Sequence, residues 1–79
     1  MKLRVKLFGT FPSRFPGYQA DNGLIFELKE DARVADLLNC MQISPKENCT
    51  ASINGKIQKA TYALKDGDLI KIFPYVAGG

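Results

Sequence analysis

The sequence predicts an α+β fold, with strands near both ends of the chain and one helix between them. Three patterns carry this prediction: alternation of charged and apolar residues over Lys2–Leu7, apolar residues at helical spacing from Val34 to Met41, and a second alternating run over Leu69–Phe73. A period of two places alternate side chains on one face of a strand, whereas spacings of three and four residues line one side of a helix. The 79 residues suffice for one small domain.

The first two predicted strands form an antiparallel pair. In the first strand, Leu3, Val5 and Leu7 are expected to share a buried face. The stretch from 11 to 22 contains two prolines and other residues that favour turns, so it predicts a loop. Leu24–Leu28 then resumes the alternation and predicts the second strand of the pair.

The only predicted helix has an apolar stripe at positions i, i+3, i+4 and i+7, formed by Val34, Leu37, Leu38 and Met41. Either Asp31 or Asp36 can support its amino end, because a carboxylate suits the positive pole of a helix. Ser44-Pro45 is expected to close the element, since the residue before a proline is pushed out of helical geometry.

Three further strands follow the helix. Thr50–Ile53 and Lys56–Gln58 flank Asn54-Gly55, a dipeptide that favours a tight hairpin turn. Lys65–Asp68 predicts a second turn, and Leu69–Phe73 predicts the last strand. A right-handed crossover places this strand parallel to the first at the centre of a mixed sheet, with the helix packed across one face. This is the β-grasp, or ubiquitin-like, arrangement, and we expect residues 1–79 to form one such domain with a flexible tail at residues 74–79.

Composition excludes several kinds of function. The chain is 46% hydrophobic with a formal net charge of +3, and it has two cysteines and no histidine. It therefore offers no imidazole base, no paired cysteines for a metal site and no set of four cysteines for a plant-type iron-sulfur cluster. Long apolar stretches and phosphate-binding glycine motifs are also absent. We therefore predict a cytoplasmic protein that is not itself an enzyme and binds no metal, cofactor, nucleic acid or membrane.

The last residues are the best candidates for a working site. Gly78 and Gly79 lack Cβ atoms, so the terminal carboxylate of Gly79 can enter a channel too narrow for any side chain. Residues 74–79 can extend roughly 20 Å, at about 3.4 Å per residue. Pro74 has a fixed φ and is expected to keep the tail leaving the sheet in one direction.

The last strand also predicts a protein interface. If Ile70 and Ile72 face the helix, then Leu69, Lys71 and Phe73 lie on the opposite face. Lys2, Arg4 and Lys6 share that face if the first strand is the neighbour, which gives an apolar patch with a positively charged rim. The alternative is that Phe11 or Phe15 of the long loop covers Leu69 or Phe73, and that the three basic residues are a solvated strand face.

The ending Phe73-Pro74-Tyr75-Val76-Ala77-Gly78-Gly79 resembles the MoaD/ThiS sulfur-carrier family, most closely the small subunits of molybdopterin synthase. The likeness extends more loosely to residues 34–38 and 53–55. Tyr75 and Arg33 depart from the pattern, which often has a second proline and a Thr or Ser helix cap there.

The resemblance implies how the tail is used. An E1-like enzyme adenylates Gly79 with ATP in the presence of Mg²⁺, and a sulfur donor such as a cysteine desulfurase or rhodanese system supplies the sulfur of a thiocarboxylate. This sulfur then builds a pterin dithiolene inside a complex with the large subunit of molybdopterin synthase. The residues implied in partner binding are Leu69, Phe73, Pro74, Tyr75, Val76, Ala77 and Gly78. A carrier for thiamine or tungsten-cofactor synthesis, a ubiquitin-like modifier and, from the charge alone, an RNA-binding module stay open.

Overall fold

The computed structural model describes residues 1–44 and 46–75. In chain order the described elements are β1 (Lys2–Leu7), a short 3-10 helix (Phe11–Arg14), β2 (Leu24–Glu27), α1 (Val34–Cys40), β3 (Thr50–Ile53), β4 (Lys56–Gln58) and β5 (Leu69–Phe73). The predicted strands and the predicted helix are all present, and both predicted turns lie between them. Within these residues, no helix is long and apolar enough to cross a bilayer.

The five strands form one mixed sheet in the order β2-β1-β5-β3-β4. β1 runs antiparallel to β2 and parallel to β5, with Val5 opposite Leu24 on one side and Ile70 on the other. β3 runs antiparallel to both β5 and β4. The last strand therefore fills the centre of the sheet, which confirms the predicted β-grasp arrangement.

The core lies between the sheet and α1. Alternate residues of the central strands are almost fully excluded from solvent, namely Leu3, Val5, Ile70 and Ile72, and Val34 and Leu37 of α1 meet them. Burying one such aliphatic side chain contributes about 1.5–3 kcal/mol. The burial pattern confirms the predicted inward faces of β1 and β5, and it leaves the even-numbered residues of β1 for the other face.

Both ends of α1 are defined by local hydrogen bonds. At the amino end, the Asp36 carboxylate accepts a bond of 2.8 Å from the backbone N–H of Arg33, so Asp36 rather than Asp31 is the supporting carboxylate. At the carboxyl end, Gln42 adopts φ +59 and the N–H of Ile43 donates to the Leu38 carbonyl at 2.9 Å. This pattern is a Schellman motif, which ends the helix before Ser44. The prediction that Ser44-Pro45 closes the helix was therefore wrong, and Pro45 itself lies outside the described residues.

The segment between β1 and β2 is more ordered than a plain loop. A 3-10 helix that was not predicted from the sequence spans Phe11–Arg14. Its second residue is Pro12, whose fixed φ is compatible with the first turn of a helix. Phe11 points into the core, where only 3% of it is exposed. Further along, the Tyr18 hydroxyl accepts a bond of 2.8 Å from the N–H of Leu7. This contact fastens the segment to the end of β1.

Candidate partner-binding surface

The candidate site is the sheet face opposite α1, which we call the outer face. Its residues are those that alternate with the core residues in each strand: Lys2, Arg4, Lys6, Ile25, Glu27, Thr50, Ser52, Ile57, Leu69, Lys71 and Phe73. Leu69 lies beside Arg4, and Lys71 lies beside Lys6. The predicted neighbourhood of the last strand and the basic residues of the first is therefore confirmed.

Three aromatic side chains form a cluster at the end of the outer face where the chain leaves β5. The rings of Phe8 and Phe73 are stacked, with centroids 4.6 Å apart and planes 16° apart. Tyr75 adds a tilted ring 5.5 Å from Phe73. Phe8 is 37% exposed and Tyr75 is 55% exposed, so the cluster presents apolar area to solvent. Such area is typical of a protein interface when polar residues surround it.

The cluster corrects the prediction for Phe73. Phe73 is half-buried, and the ring stacked on it belongs to Phe8, not to Phe11 or Phe15. Phe8 follows the even-numbered outer residues of β1, and its N–H donates to the Ile72 carbonyl at 3.1 Å, which holds it beside the end of β5. Extending the alternation of β1 by one residue past Leu7 places Phe8 on the outer face, so the position of Phe8 could have been predicted from the sequence.

The chain just beyond β5 is held from both sides. The ring of Pro74 packs against Gly9, which follows β1 and has φ +62. The hydroxyl of Thr50, the first residue of β3, donates a bond of 2.6 Å to the carbonyl of Tyr75. The first two residues of the predicted tail therefore contact Gly9, just beyond β1, on one side and Thr50 of β3 on the other. Whether residues 74–79 are flexible stays a prediction.

The basic residues of the outer face differ in how they are paired. The Lys2 ammonium is 4.0 Å from the Glu27 carboxylate, and both side chains are largely exposed. The Arg4 guanidinium donates to the carbonyl of Asn22. Across the described part of the chain, no ion pair involves Lys6 or Lys71, although these residues are neighbours on adjacent strands. Two adjacent unpaired cations favour a partner surface that carries carboxylates.

A cleft of about 260 Å³ lies on the other side of the sheet, between α1 and the edge formed by β3 and β4. Its apolar lining includes Leu38, Ile43 and the half-buried Cys49. Burial raises the pKa of the Cys49 thiol, which disfavours the reactive thiolate. Cys40 is exposed. Residues 1–44 and 46–75 contain no cluster of three or more side chains suited to hold a metal ion.

The structure describes only part of the predicted site. It places Phe73, Pro74 and Tyr75 at the end of the outer face where the chain leaves β5, whereas Leu69 lies at the other end of that strand, beside Arg4. The predicted residues Val76, Ala77, Gly78 and Gly79 lie outside the described residues. Their roles therefore stay predictions, as does the role of Gly79 as the reactive group.

The mixed sheet and the helix across it define a small ubiquitin-like β-grasp protein. The model of the ThiS family matches residues 12–79, and the chain belongs to this family. The resemblance seen in the sequence is thereby confirmed.

Solved structures with the same fold include three informative neighbours. A putative molybdopterin converting factor subunit 1 from Pyrococcus furiosus is 28% identical, with a TM-score of 0.74 over 95% of this chain and 98% of that one. Subunit 1 of the molybdopterin-converting factor from Helicobacter pylori, solved in complex with subunit 2, is 25% identical, with a TM-score of 0.61 over 100% of both chains. SAMP1 from Haloferax volcanii is 20% identical, with a TM-score of 0.75 over 100% of both chains, and shows the fold alone.

Proposed function

We propose that this chain carries sulfur on the carboxylate of Gly79 for molybdopterin synthesis. The observation that carries the proposal is the full-length likeness, at 25% identity, to subunit 1 of the Helicobacter pylori molybdopterin-converting factor, together with membership of the ThiS family. The chain acts as a cosubstrate, and the catalytic groups belong to its partners.

The chemistry begins with activation of the tail. A carboxylate is a poor electrophile, because it is ionised at neutral pH with a reference pKa of about 3.5. An oxygen of the Gly79 carboxylate attacks the α-phosphorus of ATP in an E1-like enzyme with Mg²⁺, and pyrophosphate leaves. A persulfide from a cysteine desulfurase or rhodanese system then displaces AMP and forms an acyl disulfide with Gly79. A thiol attacks the donor sulfur of this acyl disulfide, so that a disulfide forms with the donor and the thiocarboxylate is released.

The outer face serves as the docking surface for these partners. Phe73 and Tyr75 offer apolar area directly beside the origin of the tail, and Lys6 and Lys71, which form no ion pair with any described residue, offer positive charge beside it. A partner with an apolar pocket rimmed by carboxylates can bind this surface while the tail enters its catalytic centre. The same surface can dock first on the activating enzyme and then on the large synthase subunit, because both must receive Gly79.

Intact-mass analysis tests the proposal. The chain is incubated with an E1-like adenylating enzyme, ATP, Mg²⁺ and a sulfur donor, and we expect one terminal oxygen to be replaced by sulfur. A chain that lacks Gly78 and Gly79 is the control and should remain unchanged. Failure of the full chain to gain sulfur would contradict the proposal.

Three further measurements separate the alternatives. When the chain is expressed in cells that lack their own sulfur carriers, restored thiamine or tungsten-cofactor synthesis without restored molybdopterin would place it in another sulfur pathway. Gly-Gly remnants on lysines of other proteins would identify a modifier. Salt-dependent RNA binding that survives loss of both glycines would identify a nucleic-acid module.

A further inference from the structure

The chain leaves the sheet between two fixed points. β5 runs between β1 and β3, and the residue after Phe8, Gly9, lies on one side of its end while Thr50 lies on the other. Pro74 and Tyr75 each touch one of these residues. We call Gly9 and Thr50 the seat.

Gly9 provides the space that the ring of Pro74 fills. A Cβ atom at Gly9 would stand 2.9 Å from Cδ of Pro74 and closer still to Cγ, so any other residue would displace the ring. The backbone of Gly9 also has φ +62, a conformation that favours glycine. Both facts indicate that Pro74 can take its place only because Gly9 has no side chain.

Thr50 holds the next residue by a different contact. Its hydroxyl donates a bond of 2.6 Å to the carbonyl of Tyr75, and only 6% of Thr50 is exposed. A short hydrogen bond away from bulk water restrains the backbone at Tyr75 more than an exposed one does. With Pro74 seated and the Tyr75 carbonyl held, the backbone is fixed as far as Tyr75.

We propose that Gly9 and Thr50 are positioning residues that set the direction in which the tail leaves the sheet, so that a docked partner receives Gly79 at its reacting atom. This inference rests on the proposed function. Docking depends on the exposed rings and lysines of the outer face. Thr50 lies on that face but is only 6% exposed, and Gly9 has no side chain, so both act mainly on Pro74 and Tyr75. A damaged seat should therefore lower kcat and leave the KM for the carrier nearly unchanged. Because a displacement of about 1 Å can cost up to a hundredfold in rate, we expect Gly9→Ala, which displaces the Pro74 ring, to lose at least about tenfold in kcat.

The first test compares two glycine variants. Gly9→Ala places a methyl group against Pro74, whereas the matched control Gly17→Ala meets nothing within 4 Å and also has a positive φ, +83. ATP–pyrophosphate exchange by an E1-like adenylating enzyme, measured against carrier concentration, gives kcat and KM separately. We expect the loss in kcat for Gly9→Ala only. In the Pro74→Ala background, which lacks the displaced ring atoms, Gly9→Ala should cost much less.

The second test uses Thr50. Thr50→Val removes the hydroxyl at constant shape and should lower kcat by about twofold to tenfold, the usual range for one hydrogen bond. Thr50→Ser keeps the hydroxyl and should restore kcat. A purely structural role would instead lower the melting temperature of Thr50→Val without changing kcat, and that result would overturn the proposal for Thr50.

A measurement on the free chain makes the two proposals separable. Nuclear Overhauser contacts between Gly9 Hα and the Pro74 ring should be present in the wild type and lost in Gly9→Ala. If the wild type supports no pyrophosphate exchange, the proposed function fails. The proposal for the seat is then tested by the Overhauser contacts alone, and absence of these contacts in the wild type overturns it. If the wild type is activated and Gly9→Ala has the kcat of Gly17→Ala, the seat is wrong while the function stands.

Discussion

Asn54 and Asp68 tie the β3–β4 turn to the turn that precedes β5. The Asn54 side-chain amide donates to the Asp68 carboxylate at 2.8 Å, and its carbonyl oxygen accepts from the N–H of Leu69 at 2.9 Å. The second oxygen of Asp68 accepts from the N–H of Lys65 at 2.8 Å. Asp68 is only 6% exposed. One buried carboxylate therefore fixes where the tail-bearing strand begins.

Replacing Asn54 should destabilise the fold in two separable steps. Asn54 has φ +51, so Asn54→Gly keeps the backbone favourable and removes only the side-chain bonds, at a cost of about 1–3 kcal/mol. Asn54→Ala adds the strain of a left-handed alanine, about 1 kcal/mol more. Urea unfolding gives both values. A glycine variant as stable as the wild type would mean that the bonds contribute nothing.

The core contact between α1 and the sheet should depend on Leu37 more than on Leu38. Leu37 is fully buried, whereas its neighbour Leu38 is half-buried at the rim of the cleft. Leu37→Ala should cost about 2–5 kcal/mol, because it leaves a cavity as well as removing apolar contacts. Leu38→Ala is the matched control and should cost clearly less by thermal or urea unfolding. Equal losses would contradict the assigned faces of α1.

The tail should tolerate no added methyl group at its last position. We predict that Gly79→Ala blocks activation or sulfur transfer while the melting temperature stays that of the wild type, since the clash would occur in the partner's channel. Mass analysis after incubation with the activating enzyme, ATP and a sulfur donor measures the loss. Gly17→Ala is the control: its added methyl group meets no atom within 4 Å, so this variant should carry sulfur normally. Full sulfur loading of Gly79→Ala would disprove the narrow-channel argument.

Charge on the outer face should govern partner affinity. Lys71→Glu places a carboxylate beside Lys6, reverses one unpaired charge and should weaken partner binding by about tenfold or more at low salt, with a smaller effect at high salt. The control is Lys46→Glu, an exposed charge in the segment beside the cleft on the opposite side of the sheet. Binding titrations at two salt concentrations measure both. Similar effects of the two reversals would indicate a net-charge effect and not a local interface.

The Arg14–Glu47 ion pair should make stability depend on acid pH. The side-chain bond from Arg14, followed by the bond from the Ser44 N–H, lowers the pKa of the Glu47 carboxyl below its ordinary value. A carboxyl whose pKa is lower in the folded state adds stability above its unfolded-state pKa, about 4.3, and loses it as pH falls through the folded-state pKa.

Glu47→Gln should therefore be less stable than the wild type at neutral pH. This difference should shrink as pH falls below the unfolded-state pKa and should be gone once pH is below the lowered folded-state pKa. Asp21→Asn is the control, because Asp21 is exposed and has no hydrogen bond or ion pair within the described residues. Urea unfolding across the acid range measures the two profiles. A constant difference at every pH would contradict the assignment.

Periodicity predicted most of the fold because burial decides which face each residue takes. The strands, the inward side chains Ile70 and Ile72, and the Asn54-Gly55 turn all follow from local patterns. The end of α1 did not, since its left-handed residue is Gln42, which lacks the usual glycine signal.

The site could be predicted only in part, because local patterns do not show contacts between residues that are distant in sequence. Leu69 and Phe73 were placed on the outer face by alternation, but Gly9 and Thr50 reach the tail through contacts between residues distant in sequence. A lone glycine after a strand has many ordinary explanations. Only the packed structure brings it against Pro74.

The central position of β5 has a mechanical consequence. Any enzyme that pulls on the tail draws this strand along its own length, and hydrogen bonds to β1 and β3 lie on both sides of it. Such bonds are loaded together in shear, so no single rung opens first as it would in a peeled hairpin. Because a force at the end of β5 is shared by its bonds to both neighbours, we expect this strand to resist being drawn out of the sheet.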